Sequence, residues 1–199
     1  MRPEPPLALP GMRIGLLGGS FNPAHEGHRL ISLAALERLR IDRLWWVVTP
    51  GNPLKNKAEL AGFSERLERA RAVAAHPRID VTGFEAALPV PYTASTLSYL
   101  RRRFPGVHFV WLMGGDNLAQ IHRWHRWRDI FQLMPIAVMD RPGARPKALA
   151  SPAAKLFANS RLAEADAGAL PLMEPPAWAY LTIPLSAASS TKLRRTAKD

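Results

Sequence analysis

Two histidines three positions apart, His25 and His28, close the string Gly18-Gly19-Ser20-Phe21-Asn22-Pro23-Ala24-His25-Glu26-Gly27-His28. A short apolar run, Ile14-Gly15-Leu16-Leu17, precedes it, and an amphipathic segment at residues 29–39 follows. That order predicts strand, glycine turn and helix, which aims backbone N–H groups at a phosphate. Neither Gly18 nor Gly19 carries a Cβ, so the chain can turn tightly there and an anion can approach the backbone. Imidazoles three apart share one face of the first helical turn, where they can donate hydrogen bonds to a polyphosphate. The chemistry predicted is phosphate chemistry on a nucleotide.

Other stretches carry comparable groups, each with a plainer alternative. The loop Pro50-Gly51-Asn52-Pro53-Leu54-Lys55-Asn56-Lys57 leaves the second apolar run, and Lys55 either swings onto phosphates or is merely solvated. Gly114-Gly115-Asp116-Asn117 repeats the first glycine geometry, with Asp116 either a helix N-cap or an acceptor for a ribose. Thr93 and Ser95 read as N-caps after a prolyl turn. Arg123-Trp124-His125-Arg126-Trp127-Arg128 interleaves rings and cations, as in RNA binding, or packs Trp124 and Trp127 into the core. Ser189-Ser190-Thr191 with Arg194 forms either a second anion cradle or a serine-rich cap. A metalloprotease His-Glu-x-x-His is absent, as is the Gly-x-Gly-x-x-Gly dinucleotide fingerprint, and no metal-ligand set is predicted.

The elements positioning these groups read as strands at residues 12–17, 44–48, 78–81, 107–113, 136–139 and 178–183. Helices are expected at residues 29–39, at 64–75 with Ser64 as N-cap, from Thr93 to about 104, and at 152–164. Residues 1–11 are proline-rich and read as a flexible N-terminal tail. The fold class is α/β, a single Rossmann-like doubly wound domain with a mainly parallel sheet. A chain of 199 residues, 47% hydrophobic and 22% charged, suits one such domain. With no apolar run long enough to span a bilayer, no signal-type N-terminus and no cysteine, the expected location is cytoplasmic. The net charge of +11 favours anionic partners, but it is spread along the chain, which argues against a nucleic-acid stripe.

The string at residues 18–28 resembles the Gly-Gly-(Ser/Thr)-Phe-(Asp/Asn)-Pro-x-His-x-Gly-His signature of the nucleotidylyltransferase superfamily. Ser189-Ser190-Thr191-Lys192-Leu193-Arg194 resembles its second signature, Ser-Ser-Thr-x-(Ile/Leu)-Arg. Over residues 12–194 the chain is similar to the bacterial nicotinate-nucleotide adenylyltransferase family, so residues 12–199 are expected to form one nucleotidylyltransferase domain. The chain departs from the family pattern at Asn22, often aspartate, at Leu54, often histidine, and at Ala188, usually isoleucine.

The resemblance implies adenylyl transfer from ATP to nicotinate mononucleotide in NAD biosynthesis, with pyrophosphate released. It implies His25, His28, Lys55 and Arg194 as catalytic residues, and ATP held at Gly18, Gly19, Ser20, Phe21, Gly114, Asp116, Ser189, Ser190, Thr191 and Arg194. Tyr92, Thr93, Trp124 and His125 would hold the acceptor, with Trp124 stacked on the pyridine ring. Helix starts near Thr93 and near His125 would then receive its carboxylate. Mg²⁺ would bridge ATP phosphates with few protein ligands. The partners implied are the two substrates, with neither nucleic acid nor membrane, and with a homo-oligomer allowed. The alternatives are a sister transferase using nicotinamide mononucleotide or phosphopantetheine, and an RNA-binding module.

Overall fold

The computed structural model describes residues 4–51, 60–89 and 92–183. Strand β1 (Arg13–Gly19) is followed by helix α1 (Glu26–Arg38), β2 (Arg43–Val48), α2 (Phe63–Ala74) and β3 (Ile79–Thr82). After a 3₁₀ turn at Phe84–Ala87 come α3 (Thr93–Arg103), β4 (His108–Gly114), the single turn α4 (Gly115–Leu118), α5 (Trp127–Leu133) and β5 (Ile136–Met139). The short helices α6 (Arg145–Leu149) and α7 (Pro152–Leu156) and a 3₁₀ stretch at Glu164–Leu172 lead into β6 (Trp178–Leu181). Lys55, Ser189, Ser190, Thr191 and Arg194 lie outside the described residues.

The sheet runs β3-β2-β1-β4-β5-β6, and every described pairing is parallel rather than most of them. The inner strands β2, β4 and β5 and the last strand β6 are buried on both faces, so their sequences are near-continuous apolar runs, whereas the edge strand β3 alternates. One face packs Leu16, Trp45, Trp111 and Val138 against α3 and α5, through Leu97, Leu100, Ile130 and Phe131. The other packs Leu17, Trp46, Leu112 and Met139 against α1 and α2, through Ile31, Ala35, Leu36 and Ala70. Strand order reverses between β1 and β4, which opens a crevice at their carboxyl ends. Both glycine pairs arrive at that crevice.

Three expectations need correction. Ser64 is not the cap of α2: Gly62 holds that position and Ser64 is the helix's second residue, exposed. The helix expected at residues 152–164 stops at Leu156; Ser151 caps it by accepting from Ala154 N–H at 3.2 Å, with Pro152 at its first turn. A 3₁₀ turn at Ala158–Ser160 replaces the rest. Trp124 and Trp127 do pack against the core, but their helical spacing is not that of one helix, because Trp124 ends a 3₁₀ turn and Trp127 begins α5.

Candidate active site

The β1–α1 connection is set by residues other than its glycines. Gly18 and Gly19 close β1 with ordinary φ, and the positive φ belongs to Phe21 at 45°. A Cβ on Gly18 would collide with the Trp111 indole of β4, so the missing side chain serves packing across the sheet. A Cβ on Gly19 would meet the Phe21 ring at 3.4 Å, an ordinary contact, so packing does not require a glycine there. The second pair behaves alike, since Cβ atoms on Gly114 and Gly115 would strike the Asp116 carboxylate and, at 2.7 Å, the Tyr180 hydroxyl.

Phe21 is buried and stacks on Trp46 of β2, centroids 4.9 Å apart at 12°. The ring is therefore committed to the core, and only the Phe21 backbone is left to face a ligand. Trp46 also donates through Nε1 to the Ser32 hydroxyl at 2.8 Å, and Ser32 in turn donates to the His28 carbonyl at 2.8 Å. Sheet and helix are thereby locked at the turn that carries the histidines.

His25 is the N-cap of α1 and His28 its third residue. The rings lie 3.9 Å apart, and His25 N–H donates to His28 Nδ1 at 3.2 Å. His25 is 6% exposed, and its buried Nδ1 has no hydrogen-bond partner among the described residues. Burial, assisted by the Arg141 guanidinium, pushes its imidazole down to about 4, so the ring is neutral near pH 7. What the pair can offer an anion is hydrogen bonds, together with the amide groups and dipole of a thirteen-residue helix, without a cationic His25.

Positive charge comes instead from Arg141, just past β5 and outside the predicted site residues. Asp140 accepts from Arg141 N–H and from the Tyr180 hydroxyl, both at 2.8 Å. The Arg141 guanidinium reaches Asp116 at 3.6 Å. Asp116 is not an N-cap, since Gly114 takes that position, and its exposed carboxylate faces the crevice side of α4. Burial and Asp140 both drive the Tyr180 hydroxyl well above its usual range, so it remains a donor.

The predicted acceptor residues come together in part. Tyr92 stacks on His125, centroids 4.7 Å apart at 30°. Thr93 opens the eleven-residue α3, whose N-cap Tyr92 supplies no side-chain bond. A helix does start near His125, though only a seven-residue one: Arg126, its N-cap, is left-handed, α5 begins at Trp127, and Trp127 N–H donates to the Trp124 carbonyl at 3.2 Å. Trp124 is half-buried against the core. Two of the arginines in that run are occupied internally, Arg128 over the Trp127 ring and Arg126 on Asp129. Arg101 donates to the Leu133 carbonyl at the end of α5, and such local use of arginine weighs against an RNA surface.

A family profile described as cytidylyltransferase-like matches residues 16–196. A probable nicotinate-nucleotide adenylyltransferase of Methylorubrum extorquens is 57% identical over 183 residues, 92% of this chain and 99% of that one. Its counterpart in Mesorhizobium japonicum is 52% identical over 193 residues, 97% of this chain and 99% of its own. The chain belongs to the nicotinate-nucleotide adenylyltransferase family of cytidylyltransferase-like enzymes. The fold is shared with Plasmodium falciparum nicotinic acid mononucleotide adenylyltransferase complexed with NaAD, at a TM-score of 0.65 and 17% identity, over 92% of this chain and 82% of that one. Among the described residues no helix is long and apolar enough to cross a membrane. None of their His, Asp and Glu side chains form a group of three or more able to hold a metal ion.

Proposed function

We propose that this chain transfers the adenylyl group of ATP to nicotinate mononucleotide, forming nicotinate adenine dinucleotide and pyrophosphate for NAD biosynthesis in the cytoplasm. An oxygen of the acceptor's 5′-phosphate attacks the α-phosphorus in line. The bond from that phosphorus to the bridging oxygen breaks, and its electron pair leaves with pyrophosphate. The observation carrying this reading is the His25–His28 pair capping α1 at the sheet's switch point, in a chain 57% identical to a relative named for this reaction.

No covalent intermediate is needed, so catalysis is positioning and charge stabilisation. His25 and His28 bind ATP phosphates at the α1 N-terminus, backed by the backbone of Gly18, Gly19, Ser20 and Phe21. Arg141, held by Asp140 and Asp116, adds a cation on the opposite wall. Gly114 and Asp116 lie at the ribose. Lys55, Ser189, Ser190, Thr191 and Arg194 complete the phosphate contacts. Tyr92, Thr93, Trp124 and His125 form the acceptor wall. Mg²⁺ would arrive on ATP, largely hydrated, and supply charge neutralisation at the phosphates; the described side chains offer it no cage, and such an ion requires none.

Pyrophosphate release with ATP and each of nicotinate mononucleotide, nicotinamide mononucleotide and phosphopantetheine tests the proposal. Turnover with the first is expected. Turnover with phosphopantetheine alone, or with no acceptor, overturns it.

A further inference from the structure

Arg66 is 1% exposed, although it sits on α2 among charged neighbours. Its guanidinium donates to four backbone carbonyls: Nη1 to Ser20 at 2.7 Å and Thr49 at 2.9 Å, Nη2 to Pro50 at 3.1 Å and Nε to Ala61 at 3.0 Å. These carbonyls belong to three separate segments: the signature loop after β1, the exit from β2, and the approach to α2. The peptide of Ala61 is held from its other side too, where its N–H donates to Asn22 Oδ1 at 3.3 Å. The Phe63 ring lies 5.4 Å from the guanidinium carbon. Burial alone depresses the basicity of Arg66, with no carboxylate contributing.

A buried cation satisfied only by carbonyls is an expensive arrangement, and hydrophobic packing at that point would serve stability as well. The planar fork does what no apolar side chain can: it sets the relative positions of three chain segments at once. One of them is Ser20, five residues before His25. The other two flank the stretch at residues 52–59, in which Lys55 stands.

We infer that Arg66 is a positioning residue for adenylyl transfer: it fixes Ser20 and the Thr49–Pro50 and Ala61 backbones in the geometry that the ATP phosphates require. The inference rests on the activity proposed above. Arg66 does not touch substrate, and it acts through the segments it ties together.

The test is Arg66→Lys, which keeps charge and length but loses the fork, beside Arg66→Ala and wild type. Folding is read by circular dichroism and thermal melting, and kinetics with each substrate varied in turn. Arg66→Lys is expected to fold and to lose about 10- to 100-fold in kcat/KM for ATP, the scale of a small misplacement. The KM for nicotinate mononucleotide should change less than threefold. Added guanidinium ion should restore part of the activity of Arg66→Ala and none of that of Arg66→Lys. A folded Arg66→Lys with wild-type kinetics, or equal losses for the two substrates, overturns the positioning role. If Arg66→Ala fails to fold, the kinetic split of Arg66→Lys decides. A wild-type enzyme inactive with ATP and nicotinate mononucleotide would instead overturn the activity itself.

Discussion

The backbone N–H of His25 donates to Nδ1 of His28 at 3.2 Å, so the first turn of α1 fixes which nitrogen of His28 can hold a proton. A ring nitrogen that accepts cannot carry hydrogen, and in the neutral ring the proton resides on Nε2. Replacing His28 therefore separates two roles. His28→Asn places an amide oxygen near the Nδ1 position and keeps the cap, while Nε2–H is lost. It should melt close to wild type and lose on the order of 10²–10⁴ in turnover, as His28→Ala should. Unaltered turnover in pyrophosphate release would remove His28 from the mechanism.

His25 makes a prediction in pH. The unfolded ring takes up a proton near 6.5, whereas the folded one resists until about 4. The unfolded state thus binds more protons between those values, and stability falls as pH drops from 6.5 towards 4. Above 6.5 this group contributes no pH dependence. Proton NMR of the ATP-free protein should show the His25 ring titrating near 4, and His25→Gln should flatten the acid limb of the urea-midpoint curve. A His25 resonance titrating near 6.5 would refute the buried, neutral ring.

Glu85 has the opposite sign. It is 7% exposed in the 3₁₀ turn after β3, and burial raises its carboxyl against the opposing hydrogen bonds of Thr96, at 2.5 Å, and Thr49. Here the folded state holds the proton more tightly. Stability is largest below the unfolded value of 4.5 and declines as pH rises from there through the folded value. Glu85→Gln retains both hydrogen-bond partners without a charge to bury, so its urea midpoint should change less over that range than wild type's. Parallel curves would exclude the effect.

On the proposed function, acceptor choice would rest on the start of α3 at Thr93, with the short α5 opening two residues after His125. The acid and the amide differ at one group, and an amide NH₂ facing donors leaves them unsatisfied. A site built on such hydrogen bonds rejects the wrong group by about 10⁴-fold. Nicotinate mononucleotide should therefore be strongly preferred over its amide. Thr93→Ala should narrow that gap, and Trp124→Ala should impair both acceptors. Comparable kcat/KM values for acid and amide in wild type would rule out this discrimination.

The strands and the histidine pair were legible because both depend on local information: apolar runs of β-favouring residues, and a string of fixed spacing. The role of the glycines was not, because Gly18 is dictated by Trp111, almost a hundred positions away and brought alongside only by the pairing of β1 with β4. Arg66 was missed for a different reason. Its charge suggested solvent, yet it occupies one stripe with Ala70 and Ala74, and that four-residue spacing was the available signal. Asp140 and Tyr180 meet only through the β5–β6 pairing, which no local pattern announces.

The close approach of the Trp111 indole to Gly18 couples substitutions at the two positions. Alone, Gly18→Ala brings overlap, and Trp111→Leu leaves a void that costs stability. Together, the added methyl and the trimmed ring offset each other, so the second change is harmful or helpful according to whether the first has occurred. Sign epistasis of this kind channels divergence: lineages would leave the tryptophan-and-glycine combination by both substitutions, or remain in it.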